Sequence, residues 1–222
     1  MADEFDVIVI GSGTADLTAP LATRHDGPTV ALVEREGRSG GDCTYDGCVP
    51  SKALIEIVQT VFDARRLAAA GVLDEAPVPH FAHVAALRDA TVEEIARDER
   101  DQRFTDAGIE LVHGEAPFAG ERDLDVGGRS LRGGRFVVAT GSEPAVPPIP
   151  GLHEVPHLTN RSVFELRELP PRLLVLGGGP FGLELAQAFH RLTVLEDTSA
   201  QNPTFSEAYG AALRESPGRD GR

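Results

Sequence analysis

Near its N-terminus the sequence places two short, apolar, β-branched runs on either side of a glycine turn and a helix-length segment. The first run, residues 5–10, ends in the turn at residues 11–14, and the second, residues 29–33, ends in Glu34. Runs of this kind predict two strands, and the long connection between them predicts that they are parallel. A glycine turn accommodates a pyrophosphate at the helix start, and a carboxylate after the second strand binds a ribose 2′-hydroxyl. The pattern therefore predicts a dinucleotide-binding βαβ unit and an α/β fold.

Two residues between the predicted strands oppose this arrangement. Asp16 stands where a third glycine would let helix and strand pack closely, and it adds a negative charge beside the expected pyrophosphate. Pro20 falls inside the predicted helix, where it removes an amide donor and clashes with an earlier carbonyl, at a cost of roughly 3 kcal/mol. The sequence leaves open whether the helix begins after Pro20 or kinks at it.

Both cysteines and the single lysine of the chain lie in one short stretch, residues 40–52. Cys43 and Cys48 have the C-x4-C spacing, with Gly47 between them to allow a tight turn and Pro50 after them to open a helix. A helix N-terminus favours the thiolate and so prepares sulfur for exchange. An inert stapling disulfide, or two buried thiols, would show the same spacing.

This stretch resembles the redox-active disulfide signature of the FAD-dependent pyridine nucleotide-disulfide oxidoreductases, the family of dihydrolipoamide dehydrogenase, glutathione reductase and mercuric reductase. The resemblance implies that Cys43 exchanges with the substrate, that Cys48 faces the flavin, and that Lys52 lies beside the flavin N5. Every other cation in the chain is arginine, so a lone lysine here suits a site that needs a compact ammonium group.

The resemblance covers roughly residues 5–196. It implies that residues 1–150 form a Rossmann-like FAD-binding domain with the redox disulfide, built from a parallel sheet with helices and a β-meander. Residues 114–116 are similar to the family segment that contacts adenine, and residues 139–141 are similar to its second flavin motif. The residues that the resemblance assigns to FAD binding are Gly11, Ser12, Gly13, Thr14, Glu34, Arg35, Gly41, Asp42, Lys52, Glu115, Ala116, Ala139, Thr140 and Gly141.

Apolar spacing and glycine pairs predict the elements between these motifs. A long helix is expected from residue 50 to residue 71, and a second, charge-rich helix over residues 84–104, with its charges on a solvated face. Glycine pairs at 127–128 and 133–134 predict the turns of the β-meander. Residues 135–139 are expected to form a buried strand.

A second strand–turn–helix pattern follows at residues 173–184. It resembles the family's NAD(P)H-binding turn, which assigns Gly177, Gly179 and Gly182 to that cofactor and pairs Glu184 with Lys52. Glu196 ends a stunted strand over residues 192–195 and resembles the ribose-binding acid that favours NADH over NADPH. The expected cofactors are thus FAD and NAD(P)H, with NADH favoured.

The resemblance is expected to end at residue 196, which leaves a truncated NAD(P)-binding unit over residues 151–196. The polar tail, residues 197–222, shows no strand pattern and is expected to be disordered. The third flavin motif has no counterpart here, and neither does the C-terminal domain through which family members form homodimers. That domain also supplies an acid–base His-x4-Glu pair, a spacing that the histidines of this chain lack.

The composition of the chain limits which partners it can bind and in which cellular compartment it is expected. The net charge of −14 argues against nucleic acid and anionic membranes, since both attract basic surfaces. No apolar run has the length of a membrane span, and two cysteines in one motif suit a reducing compartment, so a cytoplasmic location is expected. The seven histidines have no metal-ligand spacing with the cysteines, so no metal is expected and they are interpreted as surface or loop residues.

Together these patterns predict an oxidoreductase that passes electrons from NAD(P)H through FAD to the Cys43–Cys48 disulfide, and on to a small-molecule disulfide or similar acceptor. The alternative is a truncated flavin-binding remnant, or half of a split enzyme, without turnover of its own. The substitution at Asp16 and the shortened second motif favour the alternative.

Overall fold

The computed structural model describes residues 2–13, 27–98 and 101–193. The strands are β1 Asp3–Ile10, β2 Val30–Glu34, β3 Glu110–His113, β4 Asp123–Val126 and β5 Arg129–Val138. The helices are α1 Gly41–Tyr45, α2 Cys48–Ala69, α3 Phe81–Asp98, α4 Asp101–Asp106, α5 Asn160–Val163 and α6 Pro180–Thr193, with a 3-10 turn at Leu152–Glu154. The chain divides into two compact units: residues 1–50 with 87–166, and residues 51–86 with 167–222.

The first unit is built on a five-stranded sheet in the order β3-β2-β1-β5-β4. Strand β1 is parallel to both β2 and β5, β2 is parallel to β3, and β4 is antiparallel to β5. The register places Val7 opposite Val30 and Ile10 opposite Val33. The predicted α/β fold, with a mostly parallel sheet, is confirmed.

Both faces of β2 and of the second half of β1 are buried, as expected for parallel strands covered on each side. One face packs with Val112, Leu124 and Leu131, and the other packs with Phe104 and Ile109. The residues of β1 and β2 alternate between these clusters: Ile8, Ile10, Ala31 and Val33 lie in the first, and Val7, Val9, Val30 and Leu32 lie in the second. The core therefore fixes the carboxyl ends of β1 and β2 side by side.

The β-meander was predicted with one turn too many. Residues 127–128 do form the turn between β4 and β5, but Gly133 and Gly134 lie within β5. A Cβ atom at Gly133 would lie 2.7 Å from the ring of Phe136, and one at Gly134 would lie 2.7 Å from the carbonyl oxygen of Asp6. These glycines therefore allow close packing within the sheet rather than a change of direction.

The predicted buried strand over residues 135–139 is a strand as far as Val138, but it is not buried. Val138 is 64% exposed. Strand β4 pairs with β5 only over Arg129–Arg132, so in the described part of the chain the last residues of β5 have a strand on one side only.

The long helix predicted from residue 50 is α2, which begins two residues earlier than expected and ends before Gly71, where φ is 73°. The second predicted helix begins at Phe81, three residues earlier than expected. The structure describes it as α3 up to Asp98 and again as helix α4 over Asp101–Asp106, while residues 99–100 lie outside the described ranges.

One charge of α3 contradicts the predicted solvated face. Arg88 is only 1% exposed. Its Nη2 donates to the carbonyl oxygen of Phe164 at 2.5 Å and to Oδ1 of Asp89 at 2.5 Å, while Nε donates to the same Asp89 oxygen at 2.9 Å. Because a buried cation is stable only when it is paired and hydrogen bonded, these contacts explain why Arg88 is in the core.

In the second unit, α6 buries Leu185, Ala188, Phe189 and Leu192, and the ring of Phe189 lies 5.9 Å from that of Phe81. The strand predicted at residues 173–176 is wrong: this segment is irregular, and Leu174 is 83% exposed. An apolar run forms a strand only where a neighbour pairs with it, and none does so among the described residues. Residues 192–193, expected to start a strand, are the end of α6.

Several predictions fall outside the described residues. They concern Thr14, Asp16 and Pro20 in the first crossover, and Glu196 and the tail over residues 197–222. Within the described ranges, no helix combines the length and the apolar character that crossing a membrane requires.

Candidate functional site

A cavity of about 700 Å³ lies in the first unit, where the parallel strands β1, β2, β3 and β5 end. Ligands bind at this edge in open α/β sheets. Every residue of this unit that the resemblance assigned to FAD, and that the structure describes, lines the cavity: Gly11, Ser12, Gly13, Glu34, Arg35, Gly41, Asp42, Glu115, Ala116, Ala139, Thr140 and Gly141. The structure thus brings together segments that are far apart in sequence.

The turn after β1 opens toward the cavity. The amide of Gly11 donates to the carbonyl oxygen of Val33 at 2.8 Å, and the φ of 108° at Gly11 is one that glycine adopts readily. A Cβ atom at Gly13 would meet no heavy atom within 4 Å. The backbone of this turn therefore borders open space into which a ligand can approach.

Glu34 is buried, with 6% of its surface exposed, and its carboxylate is held by neighbouring donors. Oε2 accepts from the amide of Ser12 at 2.8 Å and from the Ser12 hydroxyl, and Oε1 accepts from the amide of Glu36 at 2.6 Å. A carboxylate has about four acceptor positions, so Oε1 keeps one for a ligand hydroxyl.

The cysteine stretch is attached to the glycine turn through main-chain contacts. The amide of Gly40 donates to the carbonyl oxygen of Ser12 at 3.0 Å. Gly41 has φ 60°, and a Cβ atom on it would lie 2.8 Å from the Cα of Gly13. Helix α1, which carries Cys43, therefore begins in direct contact with the turn.

Cys43 is half-buried in the cavity wall, and Cys48 is exposed at the start of α2. The loop between them doubles back on itself, because the amide of Asp46 donates to the carbonyl oxygen of Asp42 at 2.8 Å. A Cβ atom at Gly47 would lie 3.3 Å from the Cα of Cys43. The backbone beside Cys48 thus returns to Cys43, and the disulfide between them stays a prediction.

The loop between the cysteines carries an unusual carboxyl group. Burial raises the pKa of Asp46, the charge of Asp42 raises it further, and Arg38 and Arg161 act in the opposite direction. Asp46 consequently retains its proton to a higher pH than an isolated aspartate.

Arg161 is a residue of the cavity wall that the sequence analysis missed. Its Nη2 lies 3.4 Å from Oδ1 of Asp42, and its Nη1 lies 3.8 Å from Oε1 of Glu143. It belongs to the short helix α5, outside every glycine or cysteine motif, so no sequence signal pointed to it. Glu36 and Glu143 also line the cavity and were also missed.

His113, which the sequence predicts to be a surface or loop residue, fixes the segment from Glu36 to Ser39. It is partly exposed and is the last residue of β3. Its Nδ1 lies 3.0 Å from the Glu36 carbonyl oxygen, and its Nε2 lies 2.9 Å from Oδ2 of Asp101. The Ser39 hydroxyl donates to Oδ1 of Asp101 at 2.7 Å. Desolvation lowers the pKa of His113, but the bonds to Asp101 and Glu36 and nearby negative charges outweigh it and leave the pKa raised.

The second unit contains the predicted pair between Lys52 and Glu184. Lys52 Nζ donates to both carboxylate oxygens of Glu184, at 2.7 and 2.8 Å. The glycine turn before α6 is tight, since φ is 113° at Gly177 and a Cβ atom at Gly182 would lie 2.9 Å from the Gly177 carbonyl oxygen. The pair is present as predicted, whereas the cofactor roles of Lys52, Gly177, Gly179 and Gly182 stay predictions.

Comparison with known proteins identifies the family. The pyridine nucleotide-disulphide oxidoreductase family matches residues 5–220. The chain belongs to this family. The match passes residue 196 and includes most of the tail, so the expectation that the tail fits no part of this oxidoreductase family was wrong.

The relatives of this chain include mercuric reductases. The chain is 34% identical over 220 residues to mercuric reductase of Staphylococcus aureus, covering 96% of this chain and 40% of the relative. It is 37% identical over 194 residues to mercuric reductase of Streptomyces lividans, covering 85% of this chain and 41% of the relative. The chain therefore spans about 40% of the length of these relatives.

Among solved structures, the HOCl-induced flavoprotein disulfide reductase RclA from Escherichia coli has a similar fold. The TM-score is 0.70 at 27% identity, over 84% of this chain and 40% of that one.

Within the described ranges, no group of three or more His, Cys, Asp or Glu side chains is arranged to hold a metal ion.

Proposed function

We propose that the chain contributes the FAD site and the cysteine pair of an FAD-dependent disulfide oxidoreductase, in which electrons pass from NAD(P)H through FAD to the Cys43–Cys48 pair and on to a small-molecule disulfide or similar acceptor. One observation carries the proposal: Cys43 lies in the wall of the cavity that the FAD-assigned residues line. Family membership over residues 5–220 supports it.

The residues present fit FAD. The cavity volume of about 700 Å³ is in the usual range for ligand sites, roughly 300–1,000 Å³. The Gly13 backbone borders open space, as close approach of a pyrophosphate requires, and Glu34 keeps an acceptor position for a ribose hydroxyl. Arg161 offers a guanidinium whose Nε is buried and has no hydrogen-bond acceptor among the described residues.

When bound, FAD supplies a two-electron relay between the nicotinamide and the disulfide. The protein's own part begins when the cysteine pair has gained two electrons and two protons as thiols. The Cys43 thiolate attacks one sulfur of an acceptor disulfide, which forms a mixed disulfide and releases the first thiol. Cys48 then attacks the Cys43 sulfur, which releases the second thiol and restores the Cys43–Cys48 bond.

The relatives suggest two classes of acceptor. Those named mercuric reductase suggest Hg(II), and RclA, named a disulfide reductase, suggests a disulfide. We propose NADH rather than NADPH as the donor, because Glu196 would repel a 2′-phosphate. A homodimer is proposed from the family alone.

A second candidate function is flavin binding without turnover. It is favoured by the irregular backbone before the second glycine turn, where Leu174 is 83% exposed. A nucleotide-binding turn is held rigidly only when the strand before it is paired in a sheet.

The first experiment tests the proposed redox pair with the full chain. Thiols are counted before and after mild oxidation, and two are expected to be lost per chain. The oxidised protein is then given photoreduced FAD, or photoreduced riboflavin, which has the same isoalloxazine ring without the ADP half. Recovery of both thiols with FAD but not riboflavin is expected, and a Cys43→Ser control should recover none. Thiols that persist through oxidation would refute the redox proposal.

Steady-state turnover is measured separately, as NADH oxidation with lipoamide, oxidised glutathione or Hg(II) at saturating FAD. We expect none from this chain alone, because the segment before Gly177 is irregular. Acceptor-dependent oxidation that disappears in Cys43→Ser would refute the second candidate and show that the chain is a working reductase.

A further inference from the structure

The wall of the cavity is acidic. It contains two arginines, Arg35 and Arg161, against five carboxylates: Glu34, Glu36, Asp42, Glu115 and Glu143. Arg35 lies 3.6 Å from Glu36, and both of these side chains are exposed. A cavity with this balance repels an anionic ligand unless a positive charge is placed where the anion binds.

Arg161 is placed between two of these carboxylates without a close bond to either. The separations of 3.4 Å to Asp42 and 3.8 Å to Glu143 exceed the 2.7–2.9 Å or so of a strong charge-assisted hydrogen bond. Its Nε is buried and has no acceptor in the described part of the chain. A guanidinium has five N–H donors, so Arg161 retains capacity for a further anionic acceptor.

A chain of contacts leads from Arg161 to the glycine turn. Asp42, its ion-pair partner, follows Gly41, and Gly41 touches Gly13 closely enough that a Cβ atom would lie 2.8 Å from the Gly13 Cα. The guanidinium therefore lines the same cavity as the turn whose open backbone suits a pyrophosphate.

We propose that Arg161 binds the diphosphate of the cofactor, and that this contact makes the cavity select a dinucleotide over uncharged flavins and nucleosides. The planar fork of arginine matches two phosphate oxygens, and Asp42 and Glu143 hold it ready from either side. The inference rests on the proposed function, because it takes the cavity to be the FAD site.

The experiment measures the affinity of the full chain for FAD, ADP, adenosine and riboflavin by calorimetry. Arg161→Gln is expected to weaken FAD and ADP by about tenfold to a hundredfold, as loss of a charged hydrogen bond does, and to leave adenosine and riboflavin unchanged. Arg161→Lys should retain part of the affinity, since it keeps the charge but not the fork. Arg132→Gln is the matched control, because it removes an exposed arginine, paired with Asp123, that does not line the cavity.

Each other outcome overturns the inference. Unchanged affinity of Arg161→Gln for FAD and ADP would exclude contact with the diphosphate. An equal loss for adenosine would show that the arginine only maintains the cavity. Circular dichroism of each variant verifies folding, and Arg161→Lys provides the comparison if Arg161→Gln is unstable. Wild-type protein that binds neither FAD nor ADP would refute the proposed function as well, whereas binding that is insensitive to Arg161 would refute this inference alone.

Discussion

The contact between Gly41 and Gly13 joins the cysteine stretch to the glycine turn, and substitution of Gly41 by alanine tests it. Alanine at φ 60° adopts the left-handed conformation at a cost of about 1–2 kcal/mol. Its Cβ would also lie 2.8 Å from the Gly13 Cα, well inside the 3.5–4.0 Å or so at which carbon atoms pack. The two segments must therefore separate by roughly 0.7–1.2 Å.

That separation weakens the hydrogen bond from the Gly40 amide to the Ser12 carbonyl oxygen, which at 3.0 Å contributes about 0.5–1.5 kcal/mol. Together the two terms give a loss of about 1.5–3.5 kcal/mol in the free energy of unfolding. FAD affinity should fall by at least about tenfold, because displacement of the turn changes the cavity wall at Gly13.

Gly37→Ala is the matched control, since it lies in the same loop without a left-handed φ and a Cβ atom there would meet nothing within 4 Å. Its stability should change by less than about 0.5 kcal/mol or rise slightly. Urea unfolding followed by circular dichroism suits a chain without tryptophan, and flavin titration gives the affinity. Equal effects of the two substitutions on stability and affinity would contradict the assigned contact.

Two further predictions concern His113 and the flavin. Because its pKa is raised in the folded state, His113 stabilises the fold fully below its unfolded pKa, and this stabilisation is lost as pH rises through the folded pKa. His113→Asn should therefore lose more stability at about pH 5.5 than at about pH 8.5 in urea unfolding, and an equal loss at both would exclude the linkage. The unaltered chain should bind FAD weakly and below one per chain, and Asp16→Gly should raise the occupancy measured by flavin absorbance; tight stoichiometric flavin without the substitution would contradict this.

The elements predicted correctly are those that their own residues specify. Strands β1 and β2 follow from β-branched runs, and their parallel pairing follows from the length of the crossover between them. Helix α2 follows from apolar spacing and from the glycine that ends it. In each case the pattern, the local conformation and the tertiary neighbour agree.

The predictions were wrong where the structural role of a residue depends on a partner that is distant in the sequence. Gly133 and Gly134 suggested a turn, but the carbonyl of Asp6 and the ring of Phe136 require glycine within a strand. Arg88 suggested a solvated face, but the carbonyl of Phe164 gives its charge a partner in the core. Neither partner is identifiable from local pattern, because the sheet and the packing of α3 must form before these groups meet.

In the candidate site, the glycine turn, Glu34 and the cysteine stretch were each predictable from local sequence, but the contacts that connect them were not. Ser12 makes that connection: its amide and hydroxyl donate to Glu34, and its carbonyl oxygen accepts from Gly40 at the start of the cysteine stretch. Because Ser12 contacts both Glu34 and the residue before α1, the position of the glycine turn and the position of the backbone that carries Cys43 depend on each other. That dependence is a tertiary contact, which neither local motif specifies.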